Sequence, residues 1–229
     1  MSLWRKSWLE CRPRVWLTAA LWVVTSAGTL GLFGLPKISR DPIPFWNVYI
    51  LTLAGVVAPL VAMILAGSGI NSQTASGVLR GTHPSTHFML SLPVSRRRSL
   101  WVRAALGGLL LLVFVLLSVC VVGFLAPIRG AEIPSGRIIS AIPVVLLSSY
   151  SFFGLGTLLY TWLDELWGGT IGMAAVGFLC GGFVSVSEEV GVHIPVGLAD
   201  LPWPVIVVYV AVGLISLGGA NIVVERKEY

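Results

Sequence analysis

Six stretches of this chain run for about 20 residues each without a charged side chain, which is the length of α-helix that crosses a bilayer. They are Val15–Leu35, Phe45–Ala66, Ala104–Ala126, the run within Ile138–Leu163, Leu166–Ser187 and Leu201–Val224. Only 11% of the 229 residues are charged, about half the share of an ordinary soluble domain. Mean hydropathy is +0.90. Lipid offers the backbone no hydrogen bonds, so spanning segments are helices or closed barrels. Barrels show alternating segments rather than unbroken apolar runs. The expected fold is therefore all-α, a polytopic membrane protein with six transmembrane helices in a single domain over 1–229.

Prolines mark the ends of the runs at Pro36, Pro42, Pro44, Pro127, Pro134, Pro202 and Pro204, where helices tolerate them. Pro59 and Pro143 fall inside spans. They should kink their helices unless neighbouring groups satisfy the freed carbonyls. Six crossings place Arg5, Lys6, Arg12, Arg14, Arg80, Arg96, Arg97, Arg98, Arg103, Arg226 and Lys227 on one side, against Lys37, Arg40, Arg129 and Arg137 on the other. Cytoplasmic loops carry the excess of Lys and Arg, so both termini are expected in the cytoplasm.

This topology leaves one long cytoplasmic connection, 67–102, between spans one and two (15–66) and spans three to five (103–187). An outer segment, 188–202, is partly apolar and Pro-broken, so that it can dip into the outer leaflet. The last span and a cytoplasmic tail occupy 203–229. Arg96, Arg97, Arg98 and Arg103 pin the start of the third span at the membrane face, because one arginine at mid-bilayer costs roughly 2.5–3.5 kcal/mol. They also suit anionic headgroups. The loop before them holds Leu79, Phe88, Met89, Leu90 and Leu92. Phe88, Met89 and Leu92 fall at helical spacing, which predicts a short helix across the membrane face with apolar surface for a partner.

At the N-terminus, Leu3, Trp4, Trp8 and Cys11 recur at helical spacing while Arg5, Lys6 and Glu10 face elsewhere. Residues 1–14 read either as an interfacial amphipathic helix ended at Arg12-Pro13, or as a basic anchor with Trp4 and Trp8 as aromatic belt residues. Small residues at Gly168/Gly172, Gly177/Gly181 and Ser216/Ala220 have the spacing of close helix packing, within one bundle or between two copies.

Catalytic and metal motifs are sparse. No Walker A pattern occurs, so the chain itself should not hydrolyse ATP. His83 and His87 have zinc-site spacing, but Pro84 follows the first where a glutamate would be needed. His193 reads as a solvated loop residue. Cys11, Cys120 and Cys180 match no metal motif and read as small buried hydrophobes. No span contains His, Asp or Glu, which argues against intramembrane proteases and against proton- or sodium-coupled carriers. Energy for any transport must then come from a partner subunit.

From Phe88 the chain reads FMLSLPVSRRRSLWVRA. A long cytoplasmic loop closing on LPVSR, then basic residues and an apolar span, resembles permease subunits of type-2 ATP-binding-cassette (ABC) exporters. The likeness runs along the chain through WRKSWLECRPR, the six spans and the tail VERKEY. It implies a transmembrane subunit paired with a second copy or a homologue and driven by two separate ATPase subunits. The chain would hold no cofactor of its own, with ATP and magnesium in those ATPase partners. The coupling helix would fall at about Ser76–Leu92, with Leu79, Phe88, Met89, Leu90 and Leu92 against the ATPase. The N-terminal helix would be the connecting helix, and 188–202 a re-entrant outer element. The chain departs from the pattern in having no Asp or Glu between Asp41 and Glu132, where many relatives carry acidic residues before LPVSR. GTHPSTH stands there, so docking would rest on apolar and His/Thr contacts.

The implied function is outward transport by alternating access, with lipid as surroundings and no nucleic-acid partner. Other readings stay open: a haem- or cofactor-export permease of the cytochrome-maturation type, a lipid-modifying membrane enzyme using His83, His87 and the arginines, and a scaffold or immunity protein that only binds. Substrate, and homodimer against heterodimer, are not legible.

Overall fold

The computed structural model describes residues 3–29, 42–66, 95–129, 133–163, 169–177 and 203–226. Among them every regular element is helical: α1 (Leu3–Thr29), α2 (Pro42–Thr52), a π-helical turn (Leu53–Val57), α3 (Ala58–Ala66), α4 (Arg96–Leu125), α5 (Ser135–Trp162), α6 (169–177) and α7 (Trp203–Arg226). Four helical stretches are long and apolar enough to cross a membrane: Trp46–Ala66, Arg97–Leu125, Ser135–Trp162 and Trp203–Arg226. They match the second, third, fourth and sixth runs of the sequence. The first run is described as helix up to Thr29, and the fifth at 169–177.

The ends of α4 and α5 follow from the residues that stand there. Ser95 caps α4: its backbone is extended and its hydroxyl accepts from the Arg98 N–H at 3.3 Å, one of the donors a helix start leaves unpaired. At the other end α4 tightens into a 3-10 turn, Ala126–Arg129, around Pro127, which cannot donate to the ladder. Leu163, with extended backbone, closes α5.

The core is built from one stripe of each central helix. Trp46, Tyr49, Ile50, Leu53, Val57, Val61 and Leu65 of the second span meet Leu111, Phe114, Val115, Val119 and Val122 of α4 and Ile138, Ala141, Val145 and Phe153 of α5. The α4 positions recur at three- and four-residue spacing, so one face is buried. Val113, Leu117 and Phe124 on its other faces are exposed, as lipid-facing residues would be.

Helix α5 is the hub, and glycines bring its neighbours close. A Cβ on Gly154 would lie 2.6 Å from the Gly213 carbonyl of α7, and one on Gly156 would lie 2.9 Å from the Ala66 Cβ. Polar side chains of α5 bond to neighbouring backbones: Ser151 Oγ to the Tyr209 carbonyl at 2.7 Å and Tyr150 Oη to the Gly108 carbonyl at 2.8 Å. Such bonds contribute about 0.6 kcal/mol each on average in a membrane helix bundle. Helix α7 is peripheral: Ser216, Ala220 and Val224 are buried while Val207, Val208, Leu214 and Ile215 are exposed. The small pair Ser216/Ala220 thus serves packing inside this bundle. Gly172 does likewise, against Met63 and Leu159, whereas no described side chain would meet a Cβ on Gly177.

Pro59 behaves as its position inside a span demands. The turn before it is π-helical, and the Ala58 N–H donates to the Leu53 carbonyl, five residues back. In that register the next donor, to Ala54, would be residue 59, and proline has no N–H. Ser148 Oγ of α5 donates to the Ala54 carbonyl instead, at 2.6 Å.

One expectation is corrected. The N-terminal helix does not end at Arg12-Pro13, because α1 runs unbroken through Pro13 into the first span. Pro13 lies on the exposed side, where water or headgroups can take the carbonyl it frees. The expected Trp4-Trp8-Cys11 stripe is also split: Cys11 is buried with Ser7, while Trp4 and Trp8 are 53% and 43% exposed.

Gly154→Val should lower stability in detergent by about 1–3 kcal/mol, since no side chain yields at the Gly213 backbone. Gly218→Ala, where a Cβ would meet none of the described residues, should change it by less than about 0.5 kcal/mol. Thermal unfolding of both variants checks the pair.

Candidate functional site

Three contacts between helix ends define one end of the bundle. Arg14 of α1 donates from Nη1 to the Ile64 carbonyl at 2.9 Å. Ile64 lies in the last described turn of α3, where a cation suits the negative end of a helix dipole. Two turns from the end of α5, Gly156 lies against Ala66, the last described residue of α3. Burial pulls the Arg14 pKa down from the ordinary arginine value, and nearby Tyr160 and Cys11 oppose that shift; an arginine stays charged all the same. At the third contact, Arg97 of α4 and Glu225 of α7 lie 3.7 Å apart, with side chains 62% and 50% exposed. Leu100 packs against Ala220 and Val224 beside this pair.

The start of α1, the end of α3, the start of α4 and the ends of α5 and α7 therefore gather at one basic end. Arg5, Arg12, Arg97, Arg98 and Arg226 are exposed there, together with Trp4, Trp8 and Trp101. Glu225 is the one acidic residue among the described side chains of these helix ends. Three arginines begin α4 with no acid in its first turn, against the helix dipole. Position at a membrane face explains what helix electrostatics would disfavour.

The structure brings some expected residues together and leaves others outside its scope. Arg97, Arg98, Arg103, Trp4 and Trp8 share the basic end, and Arg96 opens the same helix. Leu79, Phe88, Met89, Leu90, Leu92, the short helix expected to carry them, His83, His87 and His193 lie outside the described residues. So do the outer segment 188–202 and Cys180. Cys11 and Cys120 form no disulfide. Among the described residues no group of three or more His, Cys, Asp or Glu could hold a metal. The Arg14–Ile64 bond, the Ser95 cap and Glu225 were not singled out from the sequence. Ser95 was findable, since a serine directly before a helical run is a start signal.

No known family model, curated protein or solved structure matches this chain. What stands is the class: a helical protein whose described part includes four helices able to cross a membrane by length and composition.

Arg14→Met should cost about 1–3 kcal/mol, because the Ile64 carbonyl loses its donor in a half-buried place. Glu225→Gln should cost less than about 1 kcal/mol, since its partner is exposed and solvated. Thermal unfolding in detergent compares the two.

Proposed function

We propose that this chain is the membrane-embedded permease subunit of an ABC-type exporter, working as a pair with a second copy or a homologue and driven by a separate ATPase. The observation that carries this reading is the LPVSR segment. It closes the loop on which the family's coupling helix would sit, and its Ser95 caps the helix that follows. Residues 67–94 join the end of α3 to the start of α4, and both belong to the basic end. A partner seated on that loop would meet the face where five helix ends converge.

Six spans with both termini in the cytoplasm agree with the described ends. Helix α1 starts at the basic end and α3 finishes there. Helix α5 finishes at the basic end as well, with Gly156 against Ala66 of α3, and α7 reaches it with its last turn. A fifth span between α5 and α7 would carry the chain from the one end to the other. With the basic end in the cytoplasm, the arginine bias follows the positive-inside rule. The spans carry no carboxylate to couple an ion gradient, so the energy comes from ATP, bound with magnesium in the partner. Closure of the ATPase pair would press on the loop and rock the helices around a path between the two permease chains.

The test is a detergent pull-down of the tagged protein from its native membranes, with ATPase activity assayed in the eluate. An ATPase should co-purify, and should be lost when Phe88→Asp and Leu92→Asp are combined while membrane insertion persists. Retention in the double variant would remove Phe88 and Leu92 from the docking face. A wild-type protein that elutes alone, under conditions that preserve other membrane complexes, would contradict the permease reading.

A further inference from the structure

The two halves of the second span are held very differently. The Ala58–Ala66 half sets its side chains directly on the α5 backbone: a Cβ on Gly156 would lie 2.7 Å from Met63 Sδ and 2.9 Å from the Ala66 Cβ, and the Ile64 carbonyl is tied to Arg14. The Pro42–Thr52 half reaches its neighbours through long side chains. Tyr49 Oη bonds to the Ser118 carbonyl of α4 at 2.8 Å. Trp46, with no exposed surface, stacks obliquely on Tyr49 at 5.7 Å.

Two polar atoms of that second half are buried without a partner, Trp46 Nε1 and Asn47 Oδ1. Buried polar groups are nearly always hydrogen-bonded, so orphans call for an explanation. A second position of the half-helix, in which these groups are paired, supplies one. The means of reaching it lies between the halves. The π turn has already left the α-register, and Pro59 removes one rung. A single side-chain bond from α5, Ser148 to Ala54, stands in for the missing rung.

We propose that the π turn Leu53–Val57 is a pivot, about which α2 swings between two positions while α3 stays fixed on α5, with the Ser148–Ala54 bond as its latch. On the permease reading, on which this role rests, α2 is a gate at the end of the bundle opposite the ATPase. π-Helical turns inside helices recur at functional sites, and a kink needs a cause of this kind.

The test is a spin-label distance measurement on the full chain in lipid nanodiscs, with Cys11, Cys120 and Cys180 replaced by serine. One label pair, Val48→Cys with Ile139→Cys, reports α2 against α5. Both native side chains are exposed, at 61% and 67%. A second pair, Ile64→Cys with Ile215→Cys, reports α3 against α7. The first pair should give a broad or two-peaked distribution that collapses to one narrow peak with Pro59→Ala, which restores the donor. The second pair should be narrow throughout. Ser148→Ala should shift the weights of the two α2 positions, and it remains informative if Pro59→Ala fails to fold. A single narrow peak for Val48–Ile139, unchanged by either substitution, would overturn the pivot. No ATPase enters the measurement, so failure of the pivot and failure of the permease reading are distinguishable.

Discussion

A backbone in lipid has only protein to hydrogen-bond with, and most of this structure answers to that constraint. It makes the spans helical and turns any interruption of a helix into a debt to a neighbour. Pro59 creates such a debt, and Ser148 of α5 meets it at the Ala54 carbonyl. The same helix sends Ser151 to the Tyr209 carbonyl and Tyr150 to that of Gly108. Helix α5 is thus the polar spine of an apolar bundle. Its glycines let α7 and α3 come close enough for those short side chains to reach.

Charge obeys the same constraint from the opposite direction. Arginine is costly at mid-membrane, so it collects where helices leave the apolar layer. Among the described residues most of it lies at one end, shared by α1, α3, α4, α5 and α7, with Arg129 and Arg137 at the other. One arginine is used differently there. Arg14 turns inward and completes the end of α3, which ties the N-terminal helix to the root of the loop 67–94. The exposed arginines beside it, Arg97 among them with its ion pair to Glu225, lie where headgroups or a partner would meet the helix ends.

The helices were largely legible because long apolar runs between prolines admit little else. The run Ala104–Ala126 lies in α4 up to its last residue, which opens the turn after it, and Leu201–Val224 overlaps α7. What was not legible depended on contacts between distant residues. Nothing local at Pro13 shows that α1 continues past it. The split of Trp4 and Trp8 from Cys11 depends on which face meets the bundle, which periodicity leaves open by tens of degrees. Ser148 in a run of serines does not announce Ala54 as its acceptor, although a freed carbonyl near Pro59 was foreseeable. Of the candidate site, the arginines and tryptophans were readable by charge and amphipathic pattern. Arg14 was not set apart from its basic neighbours, since only the fold shows that it turns inward.

The central claim is that the basic helix ends, the loop 67–94 and both termini share one face of the membrane. Single cysteines in a cysteine-free background, probed with a membrane-impermeant maleimide on right-side-out and inside-out vesicles, test it directly. Ser2→Cys, Thr82→Cys and Lys227→Cys should label only from the cytoplasmic side, and Glu189→Cys only from the other. Labelling of Thr82→Cys and Lys227→Cys from opposite sides would contradict the shared face.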